Sequence, residues 1–170
     1  MTSTKNIFKL RFINTLLFIV LLFIQYNGVF TLKIATANPM LPISLFVVIC
    51  MFCSELSSVI SGMIIGVFMD SVVATPAGFN AIFLMILGIS IALIVRHLFN
   101  NNIMSAIALC LMSATAYFLL RWLFCFAFSV SFSETLTYLM QTAFPSVLYT
   151  TVFTVPFYYL ERFLYKKFYS

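Results

Sequence analysis

Long apolar runs separated by short polar breaks set the pattern of this chain. The runs cover 12–32, 42–53, 56–73, 79–95, 103–126 and 136–160, and most charged residues lie at their ends. Their length predicts membrane helices, and the lack of strand alternation excludes an outer-membrane barrel. The second run is short, and Ser54-Glu55 separates it from the third. Joining the two through Glu55 gives five spans and puts Arg96 and the basic C-terminus on the side opposite Lys5, Lys9 and Arg11. Keeping them apart gives six spans. Lys5, Lys9, Arg11, Arg96, His97, Arg162, Lys166 and Lys167 then share one side, and Lys33 lies on the other, as the positive-inside rule requires. The expected fold is therefore all-α, a polytopic membrane protein with six transmembrane helices in a single domain over 1–170 and both termini cytoplasmic. The first run is expected to be an uncleaved signal-anchor, although Ala35-Thr36-Ala37 has the form of a cleavage site.

Composition narrows the class further. The 170 residues are 64% hydrophobic and 8% charged, too few charges to clothe a soluble domain of this size. The net charge of +5 comes from residues at span ends, which fits orientation in the membrane and gives no basic face for nucleic acid. Cys50, Cys53, Cys110 and Cys125 all lie in apolar runs. Cys50 and Cys53 have C-x-x-C spacing but no second pair and no nearby His, so they read as small hydrophobes.

The stretch Ser61–Asn80, SGMIIGVFMDSVVATPAGFN, differs from the rest. Ser58, Gly62, Gly66 and Asp70 recur every four residues and share one stripe of a helix. Gly62 and Gly66 form a G-x-x-x-G, which allows close backbone approach. Its partner is expected to be another helix of the same bundle or, alternatively, a helix of a partner protein. Pro76 and Gly78 mark a tight connection to the next run, which opens at Asn80. At 1.5 Å per residue Asp70 lies about 20 Å along its span and Arg121 about 27 Å along its own. An intramembrane charge calls for a partner, so an Asp70–Arg121 ion pair or shared network is expected, with Asn80 close by. Snorkelling of each to the headgroups is the alternative. Gln25, Asn27 and Gln141 fall at a similar depth, and the group suggests a small polar cavity.

Catalytic patterns are missing. His97 stands beside Arg96 at a turn, and Glu55, Asp70, Glu134 and Glu161 fall at different depths, which argues against paired carboxylates. No nucleotide-binding, zinc-protease or nucleophile-elbow motif occurs. Neither catalysis, nor a cofactor, nor a metal is expected.

Gly62 to Gly88, GMIIGVFMDSVVATPAGFNAIFLMILG, resembles the MreD family of rod shape-determining inner-membrane proteins. The matching positions are Gly66 and Asp70, Pro76-Ala77-Gly78, Asn80-Ala81 and Gly88, about a sixth of the chain. Ala74-Thr75 departs from the small residues and glycine usual in that connection. The resemblance implies a non-catalytic scaffold in the bacterial inner membrane. It implies assembly with MreC and, in the wider elongation complex, with MreB, RodA and its transpeptidase partner. The family is similar in architecture to substrate-capture subunits of energy-coupling-factor vitamin transporters, which supplies the rival reading. A lipid-processing membrane enzyme is a third.

Overall fold

In hydrocarbon each backbone N–H and C=O must find its partner within its own segment, so apolar runs of this kind fold as helices. The computed structural model describes residues 4–26, 40–73, 76, 78–97, 101–125 and 142–169. Among them are six helices and no strand: α1 (Thr4–Tyr26), α2 (Leu41–Phe52), α3 (Glu55–Val72), α4 (Phe79–His97), α5 (Ile103–Cys125) and α6 (Phe144–Tyr169). The break at Cys53-Ser54 separates α2 from α3, so no single helix runs through Glu55. The first helix starts at Thr4, ahead of the expected Phe12, and α6 continues past Leu160 to Tyr169. Asn27, Lys33, the Ala35–Ala37 site, Glu134 and Gln141 lie outside the described residues.

Among the described residues three helices are long and apolar enough to cross a membrane: Glu55–Val72, Phe79–His97 and Ile103–Phe124. This is a membrane protein. The apolar part of α1 is shorter, Phe12–Gln25, and α2 has only 12 residues. At 1.5 Å per residue α2 is about 18 Å long, short of a hydrocarbon core of about 30 Å. Its surroundings explain how it persists. Every residue from Leu41 to Met51 is buried, because α1, α3, α4, α5 and α6 all pack around it. A helix apolar on all sides belongs at the centre of a bundle, and α2 occupies that place.

Both ends of α2 are satisfied by its neighbours. At its start the Met40 N–H donates to Thr150 Oγ1 at 3.0 Å and the Leu41 N–H to Gln25 Oε1 at 3.2 Å. Pro42 has no N–H to satisfy, which suits the first turn. At its end the Asn101 Nδ2 donates to the Met51 carbonyl, and Tyr158 Oη donates to the Asn101 carbonyl. Gln25, expected in a polar cavity, therefore serves as a cap.

Side-chain contacts fix the helix directions. Gln25 and Thr150 meet the start of α2, Asn14 meets Glu161, Asp70 meets Asn80, Arg96 meets Glu55, and the Phe52 ring packs on Tyr165. Successive helices alternate in direction, so the start of α1 and the end of α6 share the end of the bundle that carries Arg96. The outer surface is apolar, with Phe12, Leu56, Met63, Ile82, Met104 and Phe163 all more than half exposed. Asn14, Ser44, Ser58, Asn80, Thr150 and Glu161 are buried instead. Such an inside-out distribution suits lipid as solvent.

Candidate functional site

The stripe of small residues on α3 packs against α4 of the same chain. A Cβ placed on Gly66 would lie 2.3 Å from Ala81 Cα, and one on Gly62 would lie 2.6 Å from the Leu84 carbonyl oxygen. Gly88, on α4, answers from the other side, where a Cβ would come within 2.9 Å of the Ser58 carbonyl oxygen and 3.1 Å of the Phe46 ring. The two backbones thus run antiparallel in near contact along Ser58–Gly88, Gly62–Leu84 and Gly66–Ala81. Side chains larger than hydrogen at these glycines would force the helices apart. Ser58, Gly62 and Gly66 are all buried in this seam. The stripe is filled by α4, and the alternative of a partner protein's helix lying along it does not hold.

Asp70 closes the seam at its far end. Its Oδ1 accepts from the Asn80 N–H at 3.0 Å and from Asn80 Nδ2 at 2.9 Å, and its Oδ2 accepts from the Ala81 N–H at 3.2 Å. The carboxylate is the N-terminal cap of α4, supplied by the preceding helix. The remaining amides of that first turn are also met. The Phe79 N–H donates to the Pro76 carbonyl at 3.0 Å and the Ile82 N–H to the Gly78 carbonyl at 3.0 Å. No orphan donor is left where a helix start ordinarily leaves four. The negative charge also lies at the positive end of the α4 dipole.

Pro76 and Gly78 shape the approach to this cap. Gly78 has φ of +84°, and a Cβ there would meet only open space, so backbone conformation, not crowding, selects glycine. Asn80 is 0% exposed and carries the network onward, with its Oδ1 accepting from Tyr117 Oη on α5 at 3.1 Å. Tyr117 is itself fully buried, edge-on to Phe83 at 5.3 Å between ring centroids. Asp70, Asn80 and Tyr117 therefore tie α3, α4 and α5 together at one level.

The expected Asp70–Arg121 ion pair does not form. Both Asp70 oxygens are taken by the start of α4, and the ion pair found among the described residues is Arg96–Glu55, at 2.7 Å. The physical reason is that the start of α4 offers the acid three donors at short range, which removes its need for a cation. Arg121 is half-buried on α5, and its Nε has no hydrogen-bond partner among the described residues. Of the residues expected to share a polar cavity at this depth, Asn27 and Gln141 lie outside the described residues. Two recesses of about 670 and 660 Å³ lie between α4 and α5, where the lining includes Pro76 and Gly78, and between α5 and α6. Both are lined almost wholly by apolar side chains such as Ile82, Ile86 and Met112 in the first, and Leu111 and Phe144 in the second.

Two participants carry little signal in the sequence. Tyr117 looks like any aromatic in an apolar run, and its position four residues before Arg121 is the one hint of a polar face. The other is Asn14, whose Nδ2 donates to Glu161 Oε2 at 3.3 Å across 147 residues of chain. Cys50, Cys53 and Cys110 form no disulfide, and the described residues contain no group of three His, Cys, Asp or Glu able to hold a metal ion.

Comparison with protein-family models, with curated proteins and with solved structures gives no match to this chain.

Proposed function

We propose that this chain is a non-catalytic scaffold of the MreD kind in the bacterial inner membrane, maintaining rod shape within the cell-wall elongation complex. One observation carries this reading. Gly66, Asp70, Pro76, Gly78, Asn80, Ala81 and Gly88, the positions on which the resemblance rests, all serve a single hairpin lock between α3 and α4. Residues that would be candidates for chemistry are spent on fixing helices, as a scaffold requires. In this reading all six helices lie in the membrane, α2 enclosed by the other five, with both termini on the cytoplasmic side beside Arg96, Arg162, Lys166 and Lys167. MreC is the direct partner, with MreB, RodA and its transpeptidase partner in the wider assembly.

Native purification from bacterial membranes, followed by identification of what co-purifies, tests the proposal. Recovery of MreC together with the wall synthases is the expected result. Recovery of ATPase-bearing transporter subunits, with tight saturable binding of a vitamin, would favour the substrate-capture reading and reject this one.

A further inference from the structure

Asn14 and Glu161 meet where α1 and α6 pack antiparallel, near the end of the bundle that carries Arg96. Asn14 is 6% exposed and Glu161 1%. One hydrogen bond joins them, from Asn14 Nδ2 to Glu161 Oε2. The second oxygen of each group, Asn14 Oδ1 and Glu161 Oε1, is buried without a hydrogen-bond partner among the described residues. Both orphans are acceptors, so the junction lacks a donor. An ionised carboxylate cannot supply one. A buried carboxylate with no cation beside it is so costly that such groups take up a proton instead.

One proton removes both deficits. Placed on Glu161 Oε1, it turns that atom into a donor, and Asn14 Oδ1, on the amide that already bonds the other carboxyl oxygen, becomes its acceptor. The pair then forms a ring of two hydrogen bonds, N–H···O in one direction and O–H···O in the other. We infer that the Asn14–Glu161 junction is a proton-binding site, which holds Glu161 as the neutral acid and fastens α1 to α6 through this ring.

The surroundings fit a neutral acid. Among the described residues Glu161 has no ion-pair partner, the ion pair found there being Arg96–Glu55. On α2 the titratable groups are Cys50 and Cys53, and on α5 Cys110, all of them thiols outside any disulfide. On α6 itself Tyr158 gives its hydroxyl to the Asn101 carbonyl, its neighbour Tyr165 packs on Phe52, and Arg162, Lys166 and Lys167 are exposed. The side chains of Lys5, Lys9 and Arg11 on α1 lie outside the described residues. A recess of about 10 Å³ beside Asn14, bordered by Thr15 and Ser61, stands at the lower limit for one water. A sodium ion or water in that recess is the rival explanation.

Thermal unfolding of the purified full chain in nanodiscs, across pH and in sodium, potassium or choline chloride, separates the two. The unfolded glutamate ionises at about pH 4.3. Above that the folded chain holds one more proton than the unfolded chain, so stability falls as pH rises until the folded acid ionises too. The expected result is a midpoint that falls with pH equally in all three salts, and a Glu161→Gln variant in which this component is gone. The substituted glutamine would donate from its Nε2 where the acid donates from oxygen, so the variant keeps the midpoint of the acid form. Stabilisation specific to sodium, or a pH dependence that persists in Glu161→Gln, overturns the inference. Should that variant fail to fold, infrared spectroscopy of the wild-type chain decides. With four Asp and Glu side chains in all, one protonated carboxyl is resolvable at about pH 6, where free carboxylates are ionised. Its absence rejects the site. Its presence, with a shift to weaker hydrogen bonding in Asn14→Leu, supports it.

Discussion

Asp70 and Glu161 are both acids between helices, and the molecule treats them in opposite ways. Asp70 is half-buried and receives three N–H donors, two of them backbone amides at the start of α4. Glu161 is almost fully buried and receives one, from a side-chain amide on α1. The difference shows what a membrane acid needs. It needs donors, and a cation is only one way to supply them. A helix start presents several amides converging with a favourable dipole, so a charged carboxylate is comfortable there. Where a single amide reaches, the acid itself must become a donor.

The seam beneath Asp70 gives the largest expected effect. In Gly66→Leu the new Cβ would fall 2.3 Å from Ala81 Cα, a clash of backbone with side chain that no rotamer relieves. Overpacking of a dense interior costs about 1–3 kcal/mol when neighbours can shift. Here α3 and α4 must part and take the Asp70 cap with them, so a loss of about 3 kcal/mol or more is expected. It should be seen as a collapse of the thermal midpoint or aggregation on size-exclusion chromatography. Near-normal stability of Gly66→Leu would mean that the two helices are not locked at this distance.

Asp70→Ala comes next. It leaves the Asn80 and Ala81 amides without their acceptor inside a membrane, and losing a charged acceptor from buried donors costs about 2–3 kcal/mol. Asp70→Asn is the sharper variant. The amide keeps one oxygen but turns an N–H toward other donors, so about half of that loss is expected. The same acid-to-amide change at Glu161 should leave the midpoint of the acid form unchanged. Equal outcomes at the two positions would dissolve the contrast between them.

Tyr117→Phe tests how far the Asp70 network extends. It removes one hydroxyl that donates to Asn80 and retains the ring that packs against Phe79, Phe83 and Phe118. A loss of about 1 kcal/mol is expected, the ordinary net value of a hydrogen bond. Additivity with Asp70→Asn would show that the two bonds act separately, whereas a smaller combined loss would show a coupled chain through Asn80.

Much of this architecture is legible in the pattern of residues. Apolar runs mark the helices, and the spacing of Ser58, Gly62, Gly66 and Asp70 marks one close-packed face. Pro76 and Gly78 mark the turn. What spacing cannot show is who lies opposite. Attraction between charges matches Asp70 to Arg121, yet the amides that hold the acid belong to a helix beginning nine residues later. Backbone donors leave no signature in side-chain composition. Asn14 and Glu161 are still further from view, because a pair separated by 147 residues is created only when α1 and α6 pack. The early start of α1 at Thr4 has a similar cause, since basic residues before an apolar run say nothing against helix continuing through them.

The third described acid supplies the smallest effect and completes the comparison. Glu55, at the first position of α3, pairs with Arg96 in the last turn of α4 at 2.7 Å, with side-chain exposures of 34% and 70%. It ties the same two helices that Asp70 ties, at the opposite end. Exposure weakens it. Exposed ion pairs contribute about 0–1 kcal/mol, because water already solvates both partners and salt screens what remains. Arg96→Gln should therefore lower stability by at most about 0.5 kcal/mol, and the loss should vanish in high salt. The Asp70→Asn deficit, which rests on desolvated amides, should persist in the same salt series. If salt instead erases both deficits equally, then Asp70 acts as a screened surface charge and not as the cap of α4.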